Sequence, residues 1–284
     1  MSGTLYLCAT PIGNLGDITL RVLETLRNVD LIAAEDTRNS IRLLNHFDIH
    51  TPLTSYHEFN KIEKGRELIG QLLAGKSVAL VTDAGTPGIS DPGEELVKMA
   101  HEAGVPVTSL PGACACITAL TMSGMPAGRF AFEAFLPKDK KKRRRVLKEL
   151  EDETRTIVLY ESPHHLKQTL RELADALGDR RIALCRELTK VHEEALRMNL
   201  PEAAAYYETT EPRGEYVLVI AGRSFREMEE ADHQQWADLG IDAHVALYEA
   251  QGLTHKEAMK RTAVDRGISR RDVYQALLQD GETT

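Results

Sequence analysis

The chain has 284 residues, 42% of them hydrophobic and 27% charged, which is the balance of a folded protein with a sizeable core. A formal net charge of −8 argues against a general nucleic-acid binder, and no apolar run approaches the ~20 residues needed to cross a bilayer. Cys8, Cys114, Cys116 and Cys185 are too few and too scattered for a disulfide framework, and Cys-x-Cys without a neighbouring His is a poor zinc site. Reduced thiols in a cytoplasmic protein without bound metal are the expectation.

In chain order, the first half alternates strands and helices. Residues 4–9 (TLYLCA) predict a strand. A helix follows over 17–30, where Asp17 or Thr19 precedes Leu20, Leu23 and Leu26 on one face. Residues 30–34 predict a second strand, and helices follow around 39–47 and 61–74. A third strand, 77–82 (SVALVT), leads into DAGTPGISDPG at 83–93, then a helix over 94–104 and a strand over 105–110. Strand, loop, helix and strand within about 35 residues make a βαβ unit, and short, continuously apolar strands indicate a parallel sheet covered on both faces.

Gly/Pro clusters at 111–112 and 124–128 bracket a helix of small residues over 113–123. The second half continues with strands at 129–135, 156–160, 181–186 and 215–221 and helices at 141–152, 163–177 and roughly 201–208. The fold class is therefore α/β, with a parallel-sheet domain over 1–112, a second α/β domain over 113–223, and a linker with a small helical domain over 224–284. In that tail, Thr254 with Glu257 and Ser269 with Asp272 mark two helix starts, and Gly267 lies between them where a helix would end. The shape is that of a helix–turn–helix, which serves as readily for packing or dimerisation as for nucleic-acid contact.

Several catalytic signatures are missing. The sequence contains no Walker-type phosphate loop, no GxGxxG after the first strand, no GxSxG and no HExxH. Four Gly/Pro-rich or charged loops instead follow the four strands: ATPIGNLGDIT (9–19), AEDTR (34–38), DAGTPGISDPG (83–93) and LPGACA (110–115). Ligands of open α/β sheets bind beyond the carboxyl ends of the strands. Glycine permits close backbone approach and proline fixes it, while no lysine stands in these loops to meet a phosphate. An adenosine-containing cofactor held by backbone groups fits better than a nucleoside triphosphate. Asp91, before Pro92, reads as a helix or turn cap, whereas Asp83 reads equally as a cap or as a ligand-facing group. One further feature stands out against the acidic average: residues 138–145 (KDKKKRRR) carry seven basic side chains and one acidic one.

These loops, together with FLP (135–137), YESPH (160–164), RELTK (186–190) and GEYVLVI (214–220), occur in an order that resembles the tetrapyrrole (corrin/porphyrin) methylase family. Within it, they resemble the branch that methylates a cytidine ribose 2′-oxygen in small-subunit (16S) ribosomal RNA. The resemblance covers about three quarters of the chain, and the tail is similar to the helical domain that ends many members. It implies two α/β domains, the second with a mixed sheet, that hold S-adenosylmethionine (SAM) in the cleft between them, in a homodimer. By resemblance Pro11 and Gly13, then Asp83, Gly85, Thr86, Pro87 and Ile89, then Leu110, Pro111 and Gly112 bind the cofactor. Ser162 and Gly214–Glu215 join from the second domain. Glu161, Glu187 and Lys190 are the catalytic candidates, with His164 as a further possible base. Glu187 and Lys190 equally suit a simple pair at i,i+3. The family commonly has Arg where His165 stands and Pro where Ala113 stands, so position 165 carries no specific expectation.

With ribosomal RNA, or an assembled 30S-type subunit, as partner, the basic run becomes a phosphate-binding surface. Its members are Lys138, Lys140, Lys141, Lys142, Arg143, Arg144 and Arg145. Two alternatives remain at this level: a tetrapyrrole C-methyltransferase of the same fold, and a non-catalytic RNA-binding assembly protein.

Overall fold

The structure is a computed structural model and describes residues 2–224, 233, 236 and 238–281. The chain divides into two compact units, Met1–Ala221 and Gly222–Thr284.

The first unit opens with an all-parallel sheet in the order β3-β2-β4-β1-β5, built from β1 (Leu5–Cys8), β2 (Leu31–Ala34), β3 (Leu53–Ser55), β4 (Val78–Val81) and β5 (Val107–Leu110). Its crossovers are α1 (Leu20–Asn28), α2 (Thr37–His46), α3 (Lys61–Leu73) and α4 (Gly93–Glu102). Thr19 caps α1 by accepting from the Val22 amide at 3.2 Å. Alternate residues of each strand feed two cores. Leu5, Leu7 and Leu80 pack with Leu68, Leu72 and Leu96 on one face, and Cys8, Ile32 and Ala79 pack with Val22, Leu26 and Leu44 on the other. Burying one such Leu or Val side chain stabilises the fold by roughly 1.5–3 kcal/mol. The short edge strand β3 is absent from the sequence reading, because three half-exposed residues leave no apolar run.

After α5 (Ala115–Ser123) comes a mixed sheet in the order β6-β7-β10-β8-β9. Its strands are β6 (Phe130–Phe135), β7 (Thr156–Glu161), β8 (Arg181–Arg186), β9 (Glu194–Asn199) and β10 (Tyr216–Ile220). Only β6 and β7 run parallel; β10 pairs antiparallel with β7 and β8, and β8 with β9. The apolar helix α5 covers one face, where Ala119 and Leu120 meet Val158, Ala183 and Val217. The other face receives α6 (Lys140–Leu150), α7 (Pro163–Leu177) and α8 (Leu200–Thr209) through Leu150, Leu166, Leu170 and Tyr207. Strand β9 also escaped the sequence reading: Glu194 and Arg197 sit in a partly exposed edge strand that lacks the expected apolar continuity.

The second unit contains α9 (Ile241–Ala250), α10 (His255–Asp265) and α11 (Arg270–Gly281) around Val245, Ala258, Met259, Ala263 and Val273. Both expected helix starts are present. Glu257 accepts from the Thr254 amide at 3.0 Å, and Asp272 accepts from the Ser269 amide at 3.0 Å. Gly267, at φ 62°, turns the chain between α10 and α11. Helix α9 was not expected from the sequence. The linker expected over 224–240 lies largely outside the described residues.

Candidate active site

A cavity of about 390 Å³ lies where the carboxyl-end loops of the parallel sheet face the mixed sheet. From the first half it is lined by Ile12, Glu35, Asp83, Gly85, Thr86, Ile89, Asp91 and Cys114; from the second half by Phe135, Tyr160, Glu161, Ser162, Glu187, Lys190 and Glu215. Backbone hydrogen bonds between Thr10 and Gly85, 2.9 and 3.1 Å, tie the loop after β1 to the loop after β4. Gly85 and Gly88 have φ of 89° and 86°, and Pro87 is buried between them. A side chain at Gly85 would strain this backbone even before any ligand entered. Asp91 accepts from the amides of Gly88, Ile89 and Gly93 at 2.7–3.2 Å and so fixes the second half of the loop.

Asp83 both lines the cavity and ties loops. Its oxygens accept from the Asp36 amide at 3.2 Å and from Asn39 Nδ2 at 3.0 Å. Burial and nearby Glu35 and Asp36 raise the Asp83 pKa, although Asn39 and the Asp36 amide oppose the shift. Thr82 Oγ1 donates to Glu35 at 2.6 Å, which locks AEDTR against the strand end.

The second half supplies two tethered carboxylates. Glu161 is 6% exposed; one oxygen accepts from the Ser162 amide at 2.7 Å and the other from Thr169 Oγ1 at 2.5 Å. Glu187 Oε1 accepts from Lys190 Nζ at 3.0 Å and from the Glu215 amide at 3.0 Å, and Lys190 Nζ also reaches Glu215 Oε2 at 2.9 Å. The i,i+3 pairing anticipated for Glu187 and Lys190 is thus formed. Burial pushes Glu187 up, but the Glu215 amide and the Lys190 ammonium outweigh it and hold the carboxyl below its usual range. Burial pushes Lys190 down, and Glu215 and Glu187 outweigh that and hold it above its usual range. At neutral pH the pair is therefore fully charged.

Gly13 and Gly214 touch this trio rather than the cavity. A Cβ on Gly13 would lie 2.4 Å from Lys190 Cγ, and one on Gly214 would lie 2.5 Å from the Glu187 side chain. Gly112 packs against Ala9, and Leu110 belongs to the core. Pro11 and Gly13 line an adjoining cavity of about 350 Å³ with Asn39, Arg42 and His46. Pro87, Leu110, Pro111, Gly112 and Gly214 do not line the main cavity.

The basic run forms the start of α6, capped by Asp139, whose side chain accepts from the Lys142 amide at 2.9 Å. Lys138, Lys140, Lys141, Lys142, Arg144 and Arg145 are exposed, Arg145 pairing with Glu149 at 2.8 Å. Arg143 departs from the expected phosphate-facing row. Its side chain is 13% exposed and donates to Glu172 at 2.5 Å and to Thr169 Oγ1 at 2.7 Å. Helical periodicity explains this, since one residue of the run must face α7.

Sequence reasoning placed Phe135 in the FLP motif but gave it no role in the site; it is 55% exposed on the cavity wall, its ring edge-on to Tyr160 at 5.6 Å. A β-bulge between Phe132 and Ala134 shifts the register there, which simple alternation cannot reveal. Left-handed backbone at Ser90 and Glu187, φ 66° and 51°, also falls on the lining of this cavity. Residues in that conformation concentrate at functional sites.

A profile of the Tetrapyrrole (Corrin/Porphyrin) Methylases matches residues 4–204. The chain belongs to the tetrapyrrole methylase family. It is therefore an enzyme of the methyltransferase class. Ribosomal RNA small subunit methyltransferase I of Halalkalibacterium halodurans is 49% identical over 278 residues, covering 98% of this chain and 96% of the relative. The Bacillus subtilis protein of that name is 47% identical, covering 96% and 94%. The Thermotoga maritima protein is 47% identical over 221 residues, 78% of this chain and 99% of its own length. Among solved structures, diphthine synthase superposes with a TM-score of 0.61 at 15% identity, covering 80% of this chain and 94% of that one. Uroporphyrin-III C-methyltransferase from Thermus thermophilus, complexed with S-adenosyl homocysteine, gives 0.55 at 19%, covering 77% and 97%. These two establish the tetrapyrrole methylase fold, α/β with one parallel and one mixed sheet. No helix among the described residues is long and apolar enough to cross a membrane.

Proposed function

We propose that this methylase transfers the methyl group of SAM to the ribose 2′-oxygen of a cytidine in small-subunit ribosomal RNA. The observation that carries the reading is a single continuous feature. An acidic cavity opens beside the exposed ring of Phe135, and the chain passes from that ring directly into the basic start of α6. Near-full-length likeness to proteins named for ribosomal RNA methylation supports the substrate class.

The lining chemistry fits the cofactor. Six carboxylates (Glu35, Asp83, Asp91, Glu161, Glu187 and Glu215) and one ammonium, Lys190, face or border the cavity. That balance favours a cationic sulfonium and opposes a polyphosphate. Gly85, Gly88 and the buried Pro87 give a loop whose backbone approaches a flat ligand closely. When bound, SAM supplies the electrophilic methyl carbon. Residues 83–89 would hold the cofactor, with Ile12 and Cys114 completing the wall.

The protein's own share is alignment and electrostatics, and good alignment contributes up to roughly 7–11 kcal/mol. Glu187, Lys190 and Glu215 form a charged rim joined by ion pairs. The pairing makes Glu187 a weaker proton acceptor and keeps Lys190 protonated, so these two suit orientation of the substrate better than proton abstraction. Glu161, tethered through both oxygens, supports the same face of the cavity. An unstacked nucleoside can rest on Phe135 while the exposed lysines and arginines of residues 138–145 hold the flanking phosphates. On this reading the protein acts in the cytoplasm as a homodimer, on naked RNA or on an assembled 30S-type subunit.

The test is methyl transfer from labelled SAM to small ribosomal subunits and to naked ribosomal RNA, followed by digestion to nucleosides. Label is expected in 2′-O-methylcytidine. Label confined to another nucleoside, or to none, would refute the assignment.

A further inference from the structure

Of the Cys-x-Cys sequence at 114–116, the function above uses only the wall position of Cys114 and neither thiol's chemistry. Cys114 immediately precedes α5 and lines the cavity next to Thr86, half-buried. Cys116, inside the first turn, is buried behind it. Both are free thiols, and their sulfur atoms lie 3.4 Å apart. The Cys116 amide donates to the Tyr160 hydroxyl oxygen at 3.2 Å, which holds this turn against the cavity wall.

We propose that Cys114 and Cys116 form a peroxide-reactive dithiol site, with Cys114 as the attacking sulfur and Cys116 as the resolving one. Access assigns the first role, since only Cys114 borders the open cavity. Electrostatics agree. The Cys116 S–H and the amides of Ile117 and Cys116 at the start of α5 hold the Cys114 thiol below its usual range. The hydrogen bond to Cys114 and burial hold Cys116 above it. Thiolates at helix N-termini are the reactive form of cysteine. Proximity assigns the second role: a disulfide spans about 2 Å, so the sulfurs need close only about 1.4 Å.

The steps balance with hydrogen peroxide as the oxidant. The Cys114 thiolate attacks one peroxide oxygen, the O–O bond breaks, and the departing hydroxide takes a proton to become water. Cys114 is then a sulfenic acid. The Cys116 sulfur attacks it, the S–O bond breaks, the S–S bond forms, and the released oxygen leaves as a second water with the Cys116 proton. Two thiols lose two electrons and the peroxide gains them. Cys8 and Cys185 serve as internal references. Both are buried, and burial pushes them up to about 12 and about 11.

The experiment treats the reduced full-length protein with hydrogen peroxide, alkylates the remaining thiols and maps the peptides by mass spectrometry. The peptide holding Cys114 and Cys116 is expected to lose both thiols and two hydrogens at least about tenfold faster than Cys8 or Cys185 react, and dithiothreitol restores it. Cys116→Ser halts at a dimedone-reactive Cys114, and Cys114→Ser leaves Cys116 reduced. Persistence of two alkylatable thiols at 114 and 116 when Cys8 or Cys185 is oxidised would overturn the proposal. So would a dimedone adduct at Cys114 as abundant in the unmodified protein as in Cys116→Ser.

Discussion

Thr169 holds the buried carboxylate of Glu161. Its hydroxyl donates to Glu161 at 2.5 Å while accepting from Arg143 at 2.7 Å, so a side chain of the basic helix reaches the cavity wall through one intervening oxygen. Thr169→Val keeps the shape and removes the donor. It leaves a buried carboxylate oxygen without its partner, for an expected loss of about 1–3 kcal/mol. Thr169→Ser should stay close to the parent. Urea unfolding of the two variants checks this, and equal midpoints would contradict it.

Arg143 and its neighbours should separate cleanly. Replacing Lys140, Lys141 and Lys142 together by Ala is expected to weaken RNA binding and reduce the slope of log affinity against log salt by roughly two to three. SAM affinity should not change. Arg143→Ala is expected to leave the salt slope almost untouched and to lower stability, because it removes the guanidinium donor to Glu172 and Thr169. Filter binding across a salt series, run beside thermal unfolding, distinguishes the two behaviours.

The loop at 83–93 depends on Asp91 for its shape. Asp91→Ala leaves the amides of Gly88, Ile89 and Gly93 without their side-chain acceptor. Stability should fall by about 1–2 kcal/mol, and SAM binding should weaken in calorimetry. Asp91→Asn, which keeps an acceptor, should recover part of both. Gly85→Val is a poorer probe: with φ at 89°, it strains the backbone itself.

The Glu187–Lys190 pair sets a pH window. A depressed carboxyl contributes stability above its unfolded pKa of about 4.3, and that contribution is lost as pH falls through the lower folded value. Lys190, raised, contributes below its unfolded pKa of about 10.4, and that is lost as pH rises through the higher folded value. The pair's contribution should therefore be flat from about pH 5 to about pH 10. Glu187→Gln should remove this pair's share of the acid-side dependence and leave Lys190 with Glu215 alone. Unfolding free energies measured from pH 3 to neutrality (roughly the carboxylate range) report it; an unchanged acid limb would contradict the assignment.

The first unit should be self-sufficient for cofactor binding. The cavity residues all lie within Met1–Ala221, and the Thermotoga maritima relative matches 221 residues over 99% of its length. A fragment ending at Ala221 is expected to unfold cooperatively and to bind SAM within a few-fold of the full chain. Loss of binding in a folded fragment would assign the second unit a direct role.

Most of the parallel sheet was legible because its central strands are buried on both faces and so read as unbroken apolar runs. β3 and β9 were not, since three half-exposed residues in the one and the partly exposed Glu194 and Arg197 in the other leave no apolar run. In the site, loop positions and the Glu187–Lys190 spacing were readable. The contacts of Gly13 and Gly214 were not, because they join segments more than a hundred residues and about thirty residues apart in the sequence. Phe135 was hidden by the bulge before it, and the inward turn of Arg143 by the uniform charge of its neighbours.

The fit of Gly13 against Lys190 couples the histories of the two halves. With Lys190 Cγ 2.4 Å from where a Cβ would stand, no larger residue is accommodated at 13 unless the chain around 188–190 retreats. Substitutions at the two positions should accordingly be accepted in pairs. A chimera that joins the first sheet of one relative to the second sheet of another will inherit a mismatch here, even when each half folds on its own.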